Sequence, residues 1–501
     1  MTTMTILAAM RFIAKLAPYF VWLLVVNCEG EVRIHGLQNN AQTHCTNESE
    51  YDGDMIFYLR KGISEEKLAE MRNKSRVCLP LPCSDLEAYS GFINADRPAN
   101  PSYFFFLHIK SQEDSNKKPL LLWLQGGPGK SSLFGQFLEN GPLGITATGD
   151  LFYRNHTILN EMNIIYLDQP SGTGYSYRDG KNYTGTLEQA SRHIMRFMLR
   201  FLRIFPEYIG RDFYVAGESY GARFAIGVAS ELLKKENSTV PLNLKGVMLG
   251  VGFLFPLLDI IDSTDYLSSS GLLDGNGRKS FAKQFQKIKL LVEKKDYTMA
   301  AVLLSQTVMN MGITGKPTLF QTLTGFMHHG SIARANRNEE IAAYYSYANS
   351  PSFKKKIHVN SSRALDGTRP QVVKALVLND LFQDHRDSVE YVFNRTHVLF
   401  YTGQFDAVFP EINVERSFRK LHWRGAEQFS QAERVFWHRE NNRSLELFGY
   451  ERTAGALMYA NVLFGGHYVS LDRSFAVNDL YRRFLAFRDK PAPTTTEMTA
   501  C

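Results

Sequence analysis

The sequence is poor in cysteine, with five among 501 residues. Cys28 follows an apolar N-terminal run, and we expect it to be removed with that segment. Cys45, Cys78, Cys83 and Cys501 would remain, and four cysteines allow three complete pairings among which the sequence does not choose. The spacing of Cys78 and Cys83 is not that of a zinc knuckle and no histidine pair lies nearby, so we predict no metal site and no cofactor.

The chain also lacks a strong charge imbalance. Its formal net charge of +7 is a mild excess for this length. The basic residues occur in short runs, such as 354–356 and 294–295, without the interleaved aromatic residues of a nucleic-acid groove. This pattern favours a solvated cationic surface, and we predict no nucleic-acid partner.

No apolar run is long enough to favour a membrane span. The run Leu16–Val26 follows Arg11 and Lys15 and is followed by small or polar residues, which is typical of a secretory signal peptide. We therefore assign residues 1–30 to a signal peptide and predict a secreted or lysosomal protein without membrane attachment after cleavage. An uncleaved anchor is the alternative.

Glycosylation sequons support the secretory route. Eight Asn-x-Ser/Thr triplets have no proline in the middle, and so many are more than chance would give on a chain with a signal peptide. The predicted acceptors are Asn47, Asn73, Asn155, Asn182, Asn237, Asn360, Asn394 and Asn442.

Short apolar runs that end near glycine or aspartate predict buried parallel strands. The six runs are Leu120–Leu124, Ile164–Leu167, Phe213–Ala216, Leu244–Val251, Val398–Tyr401 and Leu457–Phe464. Helical patterns fill several gaps: residues 190–202 place apolar side chains on one face before Pro206, and 222–235 follow the third run. Such alternation predicts an α/β fold with a mostly parallel sheet covered by helices.

The strand signal disappears between residues 257 and 342. Phe281, Phe285, Ile288 and Val292 predict one amphipathic helix there, and 303–309 a second. We interpret 257–342 as a helical cap inserted between two parts of the α/β domain, 31–256 and 343–488. The alternative is a set of extra surface helices. The low-complexity tail 489–501 is predicted to be disordered.

One motif predicts a nucleophile. Gly217-Glu-Ser-Tyr-Gly221 is a G-x-S-x-G between an apolar strand and a helix, the sharp turn that exposes a serine hydroxyl in α/β-hydrolases. This makes Ser219 the candidate nucleophile. The following residue, Tyr220, would offer its backbone N–H to an oxyanion, with a second donor from the glycine-rich loop 125–129.

The partners of the serine should follow it in the order acid, then histidine. Asp406 comes just after the strand at 398, and His467 follows the paired glycines 465–466 after the strand at 457. Loops at the carboxyl ends of parallel strands are where α/β folds place their chemistry. We therefore predict that His467 takes the Ser219 proton and that Asp406 orients the imidazole.

These motifs resemble those of the serine carboxypeptidases of the α/β-hydrolase fold, and among them the vitellogenic-like carboxypeptidases. The segments that carry the resemblance are 123–129 (WLQGGPG) with Ser131-Ser132, 139–142 (ENGP), 168–176 (DQPSGTGYS), 217–220 (GESY), 403–406 (GQFD) and 465–467 (GGH). Lys130, the sequence Gly-Ala-Arg at 221–223 and Ser470 depart from the usual family residues.

The resemblance implies release of the C-terminal residue from peptides or protein C-termini. It implies that Ser219, Asp406 and His467 form the triad and that Gly127 and Tyr220 are the oxyanion donors. It further implies that Gln125, Gly126, Glu139 and Glu218 bind the terminal carboxylate.

Two glutamates would repel a carboxylate unless they hold a proton, and crowded carboxyl groups raise one another's pKa. We therefore predict a preference for acidic pH. Two other functions are left open: an esterase or acyltransferase on the same triad, and a secreted binding or storage protein without catalysis. A homodimer is also left open.

Overall fold

A computed structural model describes residues 52–80, 85–96, 101–234, 240–309, 316–439 and 446–489. Within these ranges it contains fifteen strands, which are β1 Ile56–Phe57, β2 Arg76–Val77, β3 Ala88–Asn94, β4 Ser102–Ile109, β5 Leu120–Leu124, β6 Leu143–Ile145, β7 Leu151–Tyr153, β8 Asn163–Leu167, β9 Tyr177–Arg178, β10 Asp212–Glu218, β11 Asn243–Gly250, β12 His397–Gly403, β13 Val435–His438, β14 Leu447–Ala454 and β15 Leu457–Val462.

The described helices are interleaved with these strands. They are α1 Glu65–Lys74, α2 Leu187–Ile204, α3 Tyr220–Leu233, α4 Leu257–Ile261, α5 Thr264–Ser269, α6 Gly275–Glu293, α7 Tyr297–Thr307, α8 Leu319–Thr324, α9 Glu339–Ala348, α10 Pro351–Lys356, α11 Arg369–Asn379, α12 Arg386–Phe393, α13 Glu411–Phe418, α14 Ala426–Gln431, α15 Val469–Asp472 and α16 Ser474–Asp489. Gly135–Glu139 adds a π-helical turn, and Ile158–Asn160 and Pro206–Tyr208 form 3₁₀ turns.

Thirteen strands form one sheet, whose main path runs β1-β3-β4-β8-β5-β10-β11-β12-β15-β14-β13. Six neighbouring strands in this path, β8-β5-β10-β11-β12-β15, pair in parallel. They are the six strands that the apolar runs predicted. Antiparallel pairs flank them on both sides, at β3-β4-β8 and β15-β14-β13. The predicted α/β fold with a mostly parallel sheet is therefore confirmed, and the antiparallel flanks are additions to it.

Both faces of the sheet are buried. Alternate side chains of β5 point into different cores: Leu120, Leu122 and Leu124 into one, Leu121 and Trp123 into the other. Helices α2 and α3 cover the first face and α16 the second. Because the central strands are apolar on both sides, their sequence reads as continuous apolar runs.

The predicted helices are present with shifted ends. Helix α2 buries the apolar face between 190 and 202, and Thr186 caps its start by accepting a hydrogen bond from Gln189 N. Helix α6 buries Phe281, Phe285 and Ile288, and Val292 packs against the core at its edge. Helix α7 begins before the predicted 303 because the Asp296 side chain accepts from Met299 N.

Helices continue well past residue 342. Between Leu257 and Phe393 the described residues contain no strand. Two backbone hydrogen bonds join this stretch to loops that follow the central strands: Ile332 N donates to Phe405 O at 3.0 Å, and His467 N donates to Gly330 O at 2.6 Å. The helical stretch therefore contacts the end of the sheet at which the predicted site residues lie.

Candidate active site

Ser219 occupies a tight turn between β10 and α3. Its backbone has φ 55° and ψ −119°, a left-handed conformation that costs a non-glycine residue about 1–3 kcal/mol. Two hydrogen bonds hold it: Ser219 N donates to Gly250 O at 2.9 Å, and Phe253 N donates to Ser219 O at 3.0 Å. This geometry lifts the side chain away from the surrounding backbone.

The two glycines of the motif are required by contact. A β-carbon at Gly217 would lie 2.2 Å from Gly221 O, and one at Gly221 would lie 2.0 Å from Leu124 O. Neither contact involves a flexible side chain that could move aside. The strand, the turn and α3 can therefore approach this closely only with glycine on both sides of Glu218-Ser219-Tyr220.

A chain of hydrogen bonds joins the serine to the predicted histidine and acid. His467 Nε2 lies 2.9 Å from Ser219 Oγ, and His467 Nδ1 lies 2.9 Å from Asp406 Oδ2. The second oxygen of Asp406, Oδ1, accepts from the backbone N–H groups of Val408 at 2.7 Å and Phe409 at 3.2 Å. The aspartate is fully buried, so these contacts fix its orientation toward the imidazole.

The loops that carry the histidine and the acid pack on one another. A β-carbon at Gly403, the last residue of β12, would lie 2.3 Å from Gly466 O, so the two loops touch backbone to backbone. The Phe409 ring meets the His467 ring edge to face at a centroid distance of 5.5 Å. Imidazole orientation is thus set by Asp406 on one side and an aromatic ring on the other.

The glycine-rich loop lies directly against the serine turn. A β-carbon at Gly126 would lie 2.9 Å from Tyr220 N and 3.1 Å from Ser219 Cβ. The loop therefore passes beside the Tyr220 N–H at Gly126, and the next residue is Gly127, the other predicted oxyanion donor. Close approach is possible because position 126 has no side chain.

A buried aspartate anchors this loop from below. Asp168 Oδ1 accepts from Ser131 Oγ at 2.6 Å and from Ser132 N at 2.8 Å, and its Oδ2 accepts from Tyr175 N at 2.9 Å. Burial raises the pKa of Asp168 to about 7. The family-like segment at 168–176 thus acts by positioning the loop, a role that its sequence pattern did not reveal.

Beside Ser219 lies a cluster of carboxyl groups. Gln125 Nε2 donates to Glu218 Oε2 at 2.8 Å and lies 3.5 Å from Glu139 Oε1, while Trp123 Nε1 donates to Gln125 Oε1 at 2.9 Å. The tryptophan thus fixes which way the amide of Gln125 points. Four residues were predicted to bind a carboxylate. The structure brings the side chains of three of them, Gln125, Glu139 and Glu218, into one cluster, and the fourth, Gly126, lies next to it.

Both glutamates of this cluster have raised pKa values. Burial is the main cause for each, and the neighbouring Glu139 raises the pKa of Glu218 further, well above its ordinary value. A hydrogen bond from Glu218 to Glu139 and the cation of Lys130 act in the opposite direction on Glu139, whose pKa is nevertheless raised. The pair therefore holds a proton at pH values where an exposed glutamate would be ionised.

On the other side of Ser219 lies a buried ion pair. Arg223 Nη1 lies 3.0 Å from Asp380 Oδ2, and both side chains are 1% exposed. Tyr220 Oη donates to the same oxygen, and His385 Nε2 lies 3.0 Å from Asp380 Oδ1. Hydrogen bonding to His385 and the charge of Arg223 lower the pKa of Asp380 to about 2 despite its burial.

Sequence analysis missed Asp380. It follows α11 in a loop, 160 positions beyond Tyr220, and belongs to no motif. The one signal pointing to it was the arginine at 223, which departs from the resemblance and needs a buried acid as partner.

The remaining predicted residues lie on the surface or outside the described ranges. Asn73, Asn155 and Asn182 are exposed; Asn360 and Asn394 are half-buried, and the Oδ1 atom of each accepts hydrogen bonds, from Ser362 and from Arg424 N. Asn47, Asn237 and Asn442 lie outside the described residues, as do the segments 1–30 and 490–501.

Cys78 is disulfide-bonded. All other cysteines lie outside the described residues.

None of the described helices has both the length and the apolar character needed to cross a bilayer. Among the described residues, no group of three or more His, Cys, Asp or Glu side chains is placed to hold a metal ion.

The arrangement is suited to acyl transfer. A serine hydroxyl bonded to an oriented imidazole can attack a carbonyl, because the imidazole accepts the proton as the new bond forms. The adjacent carboxyl cluster differs from this machinery. It combines an amide donor with protonated acids, groups that can donate hydrogen bonds to an anion.

Comparison with known proteins agrees with this chemistry. The venom serine carboxypeptidase of Apis mellifera is 31% identical over 445 residues, covering 88% of this chain and 93% of the relative. The vitellogenic carboxypeptidase of Aedes aegypti is 30% identical over 436 residues, covering 86% and 90%. The crystal structure of Kex1(delta)p, a prohormone-processing carboxypeptidase from Saccharomyces cerevisiae, superposes with a TM-score of 0.71 at 18% identity, covering 83% of this chain and 96% of that chain.

That structural likeness shows a shared fold. The sequence model of the serine carboxypeptidases matches residues 80–486, most of the chain. With the two relatives at 30% identity or above, this match confirms the predicted resemblance and the predicted enzyme class, a serine-type hydrolase of peptides. The chain belongs to the serine carboxypeptidase family.

Proposed function

We propose that the chain removes the C-terminal residue of peptides through an acyl-enzyme on Ser219. The Ser219 oxygen attacks the carbonyl carbon of the last peptide bond while His467 Nε2 takes the hydroxyl proton. The tetrahedral intermediate collapses, the C–N bond breaks, and the departing amine takes that proton from His467. Water then attacks the ester, with His467 as base. The shortened peptide is released as a carboxylic acid, and the Ser219 hydroxyl is regenerated.

The observation that carries this proposal is the unbroken hydrogen-bond chain from Ser219 Oγ through His467 to Asp406 Oδ2, with both links at 2.9 Å. The negative charge on the tetrahedral intermediate requires donors beside Ser219. The backbone N–H groups of Gly127 and Tyr220 are the proposed donors, because the loop at Gly126 contacts both Ser219 and Tyr220.

The carboxyl cluster explains why the enzyme would act at chain ends. Gln125, Gly126, Glu139 and Glu218 are proposed to bind the terminal carboxylate of the substrate, with protonated glutamate and amide as donors. An internal peptide bond offers no carboxylate to this cluster. As pH rises through the raised pKa values, the glutamates become anionic and repel the substrate, so binding weakens toward alkaline pH.

The helical stretch after residue 256 is proposed to form a cap on this site. Its contacts with the loops of Asp406 and His467, through Ile332 and Gly330, support that role. Exposure of Asn73, Asn155 and Asn182 is compatible with glycosylation in the secretory pathway, the proposed location of the protein.

A C-terminal ladder assay tests the proposal. Peptides with free and with amidated C-termini are incubated with the protein at several pH values between about 4 and 8, and the products are identified by mass spectrometry. We expect stepwise loss of C-terminal residues from the free peptide, weaker cleavage of the amide, and a preference for acidic pH.

The matched control is Ser219→Ala, which should fold and lose the activity by about 10⁴-fold or more. An esterase or acyltransferase would leave the peptides intact while turning over ester substrates. A binding protein would leave both intact. Either result would contradict the proposed carboxypeptidase.

A further inference from the structure

Lys130 places a cation between the glycine-rich loop and the histidine loop. Its ammonium donates a hydrogen bond to Tyr468 Oη, and it lies 4.6 Å from the centroid of the Tyr468 ring and 4.7 Å from that of Phe134. The two rings are 5.0 Å apart. We call Lys130, Phe134 and Tyr468 the Lys130 cluster. Cation–π attraction to Phe134 and the hydrogen bond to Tyr468 Oη hold the ammonium in one position.

Among the described residues, no carboxylate lies within ion-pair distance of this ammonium, although its charge acts on the buried Asp366, Glu139 and Glu218. Its hydrogen bond goes to a neutral phenol, which occupies one of its three N–H donors. The side chain is half-buried, which leaves part of it open to a ligand. Elsewhere in this protein, by contrast, the buried cation of Arg223 has Asp380 as a direct partner.

The cluster borders the position of the departing residue. Tyr468 directly follows His467, the proposed proton donor to the departing amine, and the two rings lie 5.8 Å apart. The positive charge of Lys130 also acts on Glu139 and Glu218, which mark the proposed position of the terminal carboxylate. A departing residue bound between these two points would place its side chain next to Lys130.

We propose that the Lys130 cluster binds the side chain of the departing residue and selects acidic residues, glutamate and aspartate, at the C-terminus of the substrate. The inference rests on the proposed carboxypeptidase function and names its substrate class. An acidic side chain would pair with the ammonium at contact distance, and its methylene groups would pack on the half-buried Tyr468. A basic side chain would be repelled.

Glutamate and glutamine at the C-terminus provide the sharpest test, because they have the same shape and differ in charge. Blocked dipeptides with one penultimate residue and ending in Glu, Gln or Lys are compared at about pH 5.5, where a glutamate side chain is mostly ionised. For the native protein we expect kcat/KM for the Glu substrate to exceed that for Gln by about tenfold, and Lys to be the poorest.

The decisive variant is Lys130→Met, which keeps the length of the side chain and removes the charge. It should reduce the Glu-to-Gln ratio to about one, and Lys130→Arg, which keeps a cation that stacks on aromatic rings, should retain most of it. Lys287→Met removes one charge from the exposed surface of α6 and should leave the ratio unchanged.

Two outcomes would overturn the inference while the peptides are still cleaved. One is an unchanged Glu-to-Gln ratio in Lys130→Met. The other is an equal loss for both substrates, which would mean that Lys130 acts on the shared terminal carboxylate. Failure of the native protein to cleave any of the peptides would instead overturn the proposed function itself.

Discussion

On the β10 side of Ser219, Glu218 lies against Glu139 and Gln125; on the α3 side, Tyr220 leads to Asp380 and Arg223. All three acids are buried, yet their pKa values shift in opposite directions. Those of Glu218 and Glu139 are raised by burial, and that of Asp380 is lowered to about 2 by His385 and Arg223 in spite of burial. The charge of a buried carboxyl group is therefore decided by its partner.

The neutral and the charged carboxyl groups are suited to different roles. Neutral carboxyl groups next to Ser219 can donate hydrogen bonds to an anionic ligand, such as the proposed substrate terminus. A charged carboxylate on the other side accepts hydrogen bonds from Tyr220 and cations, and so holds the start of α3 in place. One side of the turn is suited to binding and the other to rigidity.

The two sides also respond oppositely to pH. The lowered pKa of Asp380 gives a contribution to stability that is present above the unfolded value of about 4 and is lost as pH falls toward 2. The raised pKa values of Glu139 and Glu218 favour the folded state at low pH and cost stability as pH rises above the unfolded value of about 4.3. At mildly acidic pH, both contributions to the stability of the folded state are present.

Removing the cation of the Arg223–Asp380 ion pair should have the largest effect, a loss of stability. Arg223→Met leaves Asp380 as a buried carboxylate without its cation, and we expect a loss of about 3–5 kcal/mol in the free energy of unfolding. Urea denaturation at neutral pH measures it. The double variant Arg223→Met with Asp380→Asn removes both charges and should recover much of the loss.

An exposed ion pair supplies the control for that experiment. Arg278 and Asp265 are 50% and 70% exposed at an N···O distance of 2.7 Å, and Arg278→Met should cost no more than about 1 kcal/mol. If Arg223→Met lowered the free energy of unfolding by no more than Arg278→Met does, the buried pair would not hold the turn as described.

Changing the neutral side should have a smaller effect, confined to substrate binding and its pH dependence. Glu218→Gln keeps a donor at this position and removes a group that can ionise. We expect the rise of KM toward alkaline pH to move to higher pH, with KM at the alkaline end about tenfold below that of the native protein, or ~1.4 kcal/mol. Steady-state kinetics across the pH range measure it.

The exposed Glu113→Gln is the matched variant and should follow the native profile. A Glu218→Gln profile that coincides with the native one would show that ionisation of this cluster does not govern binding.

Much of the fold could be predicted because the central strands are apolar on both faces. Two of the flanking strands, β14 and β3, were missed for different reasons. Strand β14 mixes buried, half-buried and exposed residues and contains Glu451 and Arg452, so it forms no apolar run. Strand β3 is interrupted by Ser90 and Gly91 although nearly all of it is buried.

The candidate site divides in the same way. Ser219, Asp406 and His467 could be found because each follows a predicted strand and glycine lies nearby, which is a local pattern. Asp380 and the contact of Lys130 with Tyr468 could not, because they depend on pairings between residues 160 and 338 positions apart. Such pairings are fixed by the packing of the fold and leave no motif.

Covalent labelling tests the central claim, that Ser219 is the nucleophile, most directly. The native protein is treated with a fluorophosphonate, digested, and mapped by mass spectrometry. The account predicts one adduct, on the peptide that contains Ser219, together with loss of peptide cleavage, and no adduct in Ser219→Ala. An adduct on another serine, or C-terminal trimming that persists in Ser219→Ala, would contradict it.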